Sequence, residues 1–178
     1  MTGPVHQIDE AVDAQFERVR GKPVPDAVFA AASEAADFSV AWHAISIAIA
    51  VVRPGHRPHA VRLAVMLGIE SLVVNQGIKR IFRRERPPLS EERAYEVRRP
   101  KTASFPSGHA SSATLAALLL SESIPRARPI WAILGSIVAL SRVHNRMHHA
   151  SDVAAGVVVG VVFARMAQRF WPLGRGRL

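Results

Sequence analysis

The chain has 178 residues, 49% of them hydrophobic and 21% charged, with no cysteine and a formal net charge of +9. That length suits one domain with a sizeable core, and the missing cysteine excludes disulfides, thiolate metal sites and a cysteine nucleophile. The basic excess is 20 Arg against three Lys; guanidinium matches phosphate oxygens, which points to nucleic acid, anionic lipid or a phosphorylated substrate. Nucleic acid is disfavoured, because most arginines sit at the ends of apolar runs and a single Tyr offers little surface for base stacking.

The N-terminal stretch MTGPVHQIDEAVDAQFERVRG is acidic and polar, unlike a signal peptide. Val5, Ile8, Val12, Phe16 and Val19 recur at steps of three or four and share one helical face, opposite Asp9, Glu10, Asp13 and Glu17. Residues 1–26 are therefore expected as an amphipathic helix, lying on a membrane surface or on a soluble core. Five apolar runs follow, at about 28–52, 60–82, 106–123, 130–143 and 151–171. RPGHRPH and IPRARP make tight turns, and the polar stretch RRERPPLSEERAYEVRRPKTAS separates the second run from the third. A membrane span needs about 20 apolar residues. The third and fourth runs fall near or below that, which leaves a soluble helical bundle as the alternative. The expected fold class is all-α: a multi-span transmembrane helical bundle of about five spans, forming one domain over 1–178.

Alternating crossings bring the end of the second span, the start of the third, the end of the fourth and the start of the fifth to one side. Each of these ends is chemically loaded. In KRIFRRERP, Lys79 and Arg86 are seven apart, so on a continuous helix they share a face, about 10 Å from each other; a lipid-headgroup cluster is the plainer reading. In FPSGHASS, Pro106 and Ser107 start a helix whose free N–H groups form an anion site, Gly108 permits close approach, and His109 is placed to exchange protons. In SRVHNRMHHASD, His148 and Asp152 are helical neighbours; a carboxylate on one imidazole nitrogen leaves the other free as a nucleophile. His144, His148 and Asp152 also form a ladder that could hold a metal, against which Arg142 and Arg146 place two cations.

Together the three segments resemble the type 2 phosphatidic acid phosphatase (PAP2) superfamily, which includes vanadium haloperoxidases and bacterial acid phosphatases. Its K-x6-RP, PSGH and SR-x5-H-x3-D pattern is met by Lys79 with Arg86-Pro87, by Pro106 to His109, and by Ser141-Arg142 with His148 and Asp152. The resemblance covers about residues 60–171, the expected catalytic core. It implies that His148 is the nucleophile of a phosphohistidine mechanism, that Asp152 orients it, and that His109 protonates the leaving oxygen and then activates water. Lys79, Arg86, Ser107, Arg142 and the Gly108 backbone would bind the phosphoryl oxygens, with no metal and no cofactor. His144, Arg146 and His149 fall outside the pattern and are expected as loop or headgroup contacts.

Membrane members of that superfamily act on lipid phosphates, so the expected partners are a lipid phosphate and the bilayer, without nucleic acid. Heavy Arg and Ala use fits a GC-rich bacterial genome, a plasma-membrane location and a polyprenyl-linked cell-envelope precursor. A decaprenyl-phosphoryl-phosphoribose is the favoured substrate; phosphatidylglycerophosphate and undecaprenyl pyrophosphate are the alternatives, with a vanadium-dependent oxidase as the rival chemistry. The Lys and Arg distribution leans to a cytoplasmic site. Glu70 and His43 lie inside expected spans, either paired with each other or lining a headgroup cavity.

Overall fold

The computed structural model describes residues 3–89, 97–100 and 102–174. Among these, every regular element is helical. In chain order they are α1 (Pro4–Glu17), α2 (Pro23–Ala35), α3 (Val40–Val52), α4 (Arg57–Leu72), a π-helical turn (Val73–Ile78) that runs into the short α5 (Lys79–Ile81), α6 (Gly108–Ser123), α7 (Arg128–His144) and α8 (Ala150–Phe170). Proline near the start of α1, α2, α4 and α7 supplies a preset φ where no helical N–H is needed. Residues 90–96 and 101 of the expected polar linker lie outside the described residues.

Helix α6 is the axis of the bundle, packed against α4, α7 and α8. It is buried nearly all round, and Ala and Ser make up most of that surface, so its neighbours approach closely. Trp42, Leu63, Leu67, Leu115, Leu119 and Phe163 fill the core beside it. The tightest approach is to α8. A Cβ on Gly156 would lie 2.4 Å from the Ser107 carbonyl oxygen, and one on Gly160 would lie 2.4 Å from that of Ser111. The G-x-x-x-G spacing thus seats α8 directly on the start of α6, as small residues do between membrane helices. At the far end of the bundle the fully buried Arg62 pairs with Glu122 at 3.0 Å and donates to the Trp171 carbonyl at 2.9 Å, tying α4, α6 and α8 together.

Outward faces are apolar. Ile47 and Val51 on α3, Val65 and Ile69 on α4, Ile133 on α7 and Val158 and Val162 on α8 are all exposed, an apolar belt far beyond what a soluble surface carries. Pro54–Ile81 and Ala150–Phe170 are each long and apolar enough to cross a bilayer, and α2 with α3 makes a third crossing if the bent pair is one span. The 16 residues of α6 and 17 of α7 stay short, as their apolar runs foretold.

Two sequence expectations change. The first expected span is bent by 60°, because Phe38 and Ser39 take left-handed backbone at φ 52° and 59°, a conformation uncommon outside glycine. The amphipathic helix is also turned from its expected pose: Val12 and Phe16 pack inward, but Asp9 is 4% exposed while Val5 and Ile8 are 54% and 59% exposed. The carboxylate is drawn inward by the partners described below, which leaves Val5 and Ile8 facing outward.

Gly156→Ala drives a methyl into a backbone oxygen, and overpacking of this kind typically costs about 1–3 kcal/mol. The thermal midpoint in detergent is expected to fall, whereas Gly68→Ala, with nothing within 4 Å of the new Cβ, leaves it unmoved or raised.

Candidate active site

The ends of α5 and α7, the starts of α6 and α8 and the loop after α5 meet at one end of the bundle. Helix α5 stops at Ile81, so Lys79 and Arg86 do not share a continuous helix as expected. Phe82 takes extended backbone, and in extended chain alternate residues face one way. Arg84 and Arg86 accordingly both point into the site, while Arg83 and Glu85 are exposed. Arg86 Nη1 donates to the Met147 carbonyl at 2.6 Å and lies 3.1 Å from His148 Nε2, and its Nε donates to the Thr102 carbonyl at 3.1 Å. Lys79, set by the π turn, brings Nζ to 3.5 Å from Thr102 Oγ1 and within 3.8 Å of a Cβ placed on Gly108. The ammonium thus sits beside the start of α6.

Ser107 caps α6, its hydroxyl accepting from the Ala110 N–H at 3.3 Å, and its own N–H donates to the Asp152 carbonyl at 3.0 Å. Arg142, in the last turn of α7, is fully buried; Nη1 donates to the Ser33 hydroxyl, whereas Nε and Nη2 have no partner among the described residues. A buried guanidinium with open donors is a costly arrangement, and an oxyanion would relieve it.

His148 and Asp152 are not neighbours on a helix. His148 precedes α8, whereas Asp152 is the third residue of its first turn. Their Nδ1 and Oδ2 are 3.8 Å apart, too far for a hydrogen bond. Ser104 fills the gap, donating to Asp152 Oδ2 at 2.6 Å with its Oγ 3.4 Å from His148 Nδ1. Asp152 also accepts from Arg84 Nη1 at 2.7 Å and from the His149 N–H at 2.9 Å. Because a guanidinium can only donate, Nε2 of His148 is the nitrogen with the free lone pair, and Nδ1 carries the hydrogen on the carboxylate side. Burial holds the His148 imidazole down at about 3; Asp152 opposes this, and Arg86, Arg142 and Lys79 reinforce it.

The His144–His148–Asp152 metal ladder does not form. His144 ends α7, its Nε2 2.7 Å from Asp26 Oδ1 and its ring packed on Phe29 with centroids 4.5 Å apart. Arg146 binds Glu17 and lies 3.6 Å from Asp13. These contacts tie α2 to the end of α7 and α1 to the loop that follows it. His109, in the first turn of α6, has Nε2 2.9 Å from Asp37 Oδ1.

Four participants escaped the sequence reading: Ser104, Arg84, Asp37 and Asp9. Arg84 Nη2 donates to Asp9 Oδ2 at 2.6 Å, and Asp9 also accepts from the Ser151 N–H at 2.8 Å. A serine two residues before PSGH and an arginine two before the motif arginine carried no spacing signal. Asp9 and Asp37 reach the site only through tertiary packing.

The model of the PAP2 superfamily matches residues 59–173. The chain is 38% identical over 128 residues, 71% of its own length and 68% of the other's, to a decaprenylphosphoryl-5-phosphoribose phosphatase of Mycolicibacterium smegmatis. A protein of the same description from Mycobacterium tuberculosis is 43% identical over 83 residues, 47% of this chain and 45% of that one. Among solved structures, the transmembrane PAP2 type phosphatidylglycerolphosphate phosphatase of Bacillus subtilis superposes with a TM-score of 0.73 at 22% identity, covering 95% of this chain and 87% of the other. The chain belongs to the PAP2 superfamily, with the fold of an integral membrane member.

Proposed function

We propose that the protein is a lipid-phosphate phosphatase that works through a phosphohistidine, its whole length forming one domain in a bacterial plasma membrane. The observation that carries this reading is Arg142, wholly buried with two unpartnered nitrogens, whose charge together with those of Arg86 and Lys79 bears on the neutral His148. Three cations around an uncharged imidazole make a receptor for a phosphoryl dianion.

His148 Nε2 attacks phosphorus while its Nδ1–H faces Ser104 and Asp152. As the nitrogen–phosphorus bond forms, the bond to the leaving oxygen breaks, and that oxygen takes a proton from His109, whose Nε2 lies 2.9 Å from Asp37 Oδ1. Water then attacks the phosphohistidine and gives a proton to His109, and phosphate leaves with His148 restored. Lys79, Arg86, Arg142 and the N–H groups at the start of α6 hold the equatorial oxygens throughout. Phosphoryl transfer needs positioning and fixed positive charge more than covalent help, and these side chains supply both without a metal.

The substrate we favour is a polyprenyl-phosphoryl phosphopentose, by likeness to the two mycobacterial relatives. Purified protein in chelator should release phosphate from such a lipid, and His148→Ala should release none and lose the acid-labile phosphoryl label of the quenched enzyme. Lys79→Ala or Arg142→Ala should lower kcat by roughly 10²–10³, the scale of one removed oxyanion donor. Release by His148→Ala, or only after metal is restored, would defeat the mechanism.

Acid stability tests the neutral imidazole. An unfolded histidine takes up a proton near the ordinary 6.5, but folded His148 does so only at about 3. Between these values the unfolded chain binds more protons, so stability falls as pH drops from 6.5 toward 3. His148→Gln should flatten that part of the thermal-midpoint profile in detergent; an unchanged slope would mean the ring is already charged in the folded protein.

A further inference from the structure

Among the described residues, three cavities share side chains with the phosphoryl site, and the chemistry above accounts for two of them. One of about 270 Å³ beside α1 contains His148, on the side of the nucleophile. Another of about 420 Å³ contains His109, on the side of the leaving group, with Glu70 and His43 in its lining. The third is an open groove of about 690 Å³ lined by Lys79, Arg80, Arg83, Arg84, Arg86 and Arg99. Neither histidine lines it. In-line displacement keeps nucleophile and leaving oxygen on one axis through phosphorus, so this groove opens to the side of that axis, at the equatorial oxygens.

The groove carries more positive charge than its own residues neutralise. Glu85 is its one carboxylate among the described residues, and Arg84 is already paired with Asp9 and Asp152. Arg80 and Arg99 donate to neutral oxygens, Gln76 Oε1 at 2.5 Å and the Pro87 carbonyl at 2.9 Å. Arg99 also has Nη1 buried with no partner among the described residues, which is costly until an acceptor arrives. Burial, and after it the charge of Arg99, holds the Arg86 guanidinium down at about 10; an anion set between the two guanidiniums relieves that repulsion. Their planar forks suit phosphate oxygens above all. The cavity beside α1 has the opposite character, with Asp9, Glu10 and Asp13 against a single arginine, Arg146. A free anion is therefore steered to the groove and away from that side.

Resting on the phosphatase reading above, we propose that the groove is a second phosphate site, which holds an intact phosphate group beside the one being transferred, with Arg99 as its anchor and Arg80 and Arg83 at its exposed rim. Lys79 and Arg86 face both sites, so an anion held in the groove draws on charge that the transferred group needs, and turnover slows. Two sources carry this chemistry. Orthophosphate freed from His148 is bounded along the line of attack by the two histidines, and the groove is its lateral way out. The groove also begins where α5 stops, beside Ile81 and Phe82, 75% and 51% exposed. Apolar residues followed by arginines at the end of a span are what reach the phosphates of bilayer headgroups.

The experiment follows hydrolysis of a lipid phosphate by the full-length protein in phosphatidylcholine nanodiscs, in two arms. Inorganic phosphate is added in the first; in the second, phosphatidylglycerol replaces phosphatidylcholine with no phosphate added. Phosphate bound where the substrate binds raises KM and leaves kcat unchanged, whereas an anion in the groove lowers kcat. A fall in kcat in the first arm identifies free phosphate as the occupant, and a fall in the second identifies the headgroup. Arg99→Gln should raise the concentration needed for half of that fall about tenfold or more, the scale of one hydrogen bond to a charged group. Its uninhibited kcat and thermal midpoint should match wild type, and Arg99→Lys should restore part of the effect. Arg83→Gln, on the exposed rim, should act in the same direction and guards against misfolding of the Arg99 variants. Purely competitive inhibition by phosphate together with a kcat indifferent to phosphatidylglycerol overturns the second site and leaves the phosphatase reading intact, as does a fall in kcat that neither variant alters. No phosphate release from any lipid by the wild type defeats that reading, and the second site with it.

Discussion

Asp152 is the point at which three separate stretches of chain are joined. It accepts from Arg84 in the loop after α5, from Ser104 before α6 and from the His149 N–H before α8, while its backbone carbonyl takes the N–H of Ser107. A fully buried carboxylate is tolerable only when so satisfied. Asp152 therefore does more than face His148. It locks the helix starts into register, and the phosphoryl cradle is the space between them. The close approach of α8 to α6 at Gly156 makes this possible, since a side chain there would push the Asp152 backbone away from Ser107.

Arg84 extends the same lock outward by binding Asp9 as well as Asp152. Burial alone would raise the Asp9 carboxyl, but the Ser151 N–H, the Arg84 guanidinium and the Ser151 hydroxyl outweigh it and hold the group below the usual carboxylate range. Asp9 thus stays charged, and α1 is fastened to the start of α8 through Ser151. Further along, Arg20 donates to the Val143 and His144 carbonyls at 2.8 and 2.9 Å, which gives partners to carbonyls at the end of α7. Val5 and Ile8 face outward beside these ties. Helix α1 is thereby coupled to the Asp152 carboxylate through Arg84.

Much of this was legible in the sequence, and the failures have physical causes. Apolar runs located the long helices, and the order of the three motifs placed their loaded ends at one face. Lys79 and Arg86 would share a face only on a continuous helix, and the helix stops at Ile81, close to the expected end of the second run; beyond it the exposure alternates, so that Arg84 is half-buried like Arg86, which helical spacing does not foresee. His148 and Asp152 obey helical spacing, yet a loop intervenes and Ser104 takes the place of the direct contact. Asp9 was assigned to solvent by periodicity, a rule that knows apolar area but not the pull of a buried guanidinium. Glu70 is recognisable as out of place in a span, but its burial at 2% exposure is a fact of packing alone.

On the proposed mechanism, the charges near His148 impose an order on events. Arg86 Nη1 lies 3.1 Å from His148 Nε2, across the line of attack proposed for that nitrogen, and two nitrogens of Arg142 have no partner among the described residues. A phosphoryl group bound there would satisfy Arg142 and would draw the Arg86 guanidinium from nitrogen to oxygen, because a charged acceptor outcompetes a neutral imidazole. The same contact would then uncover the lone pair of His148. Water, which brings no negative charge, would not release Arg86 in this way, so the proposed nucleophile would stay covered until a phosphoryl anion binds.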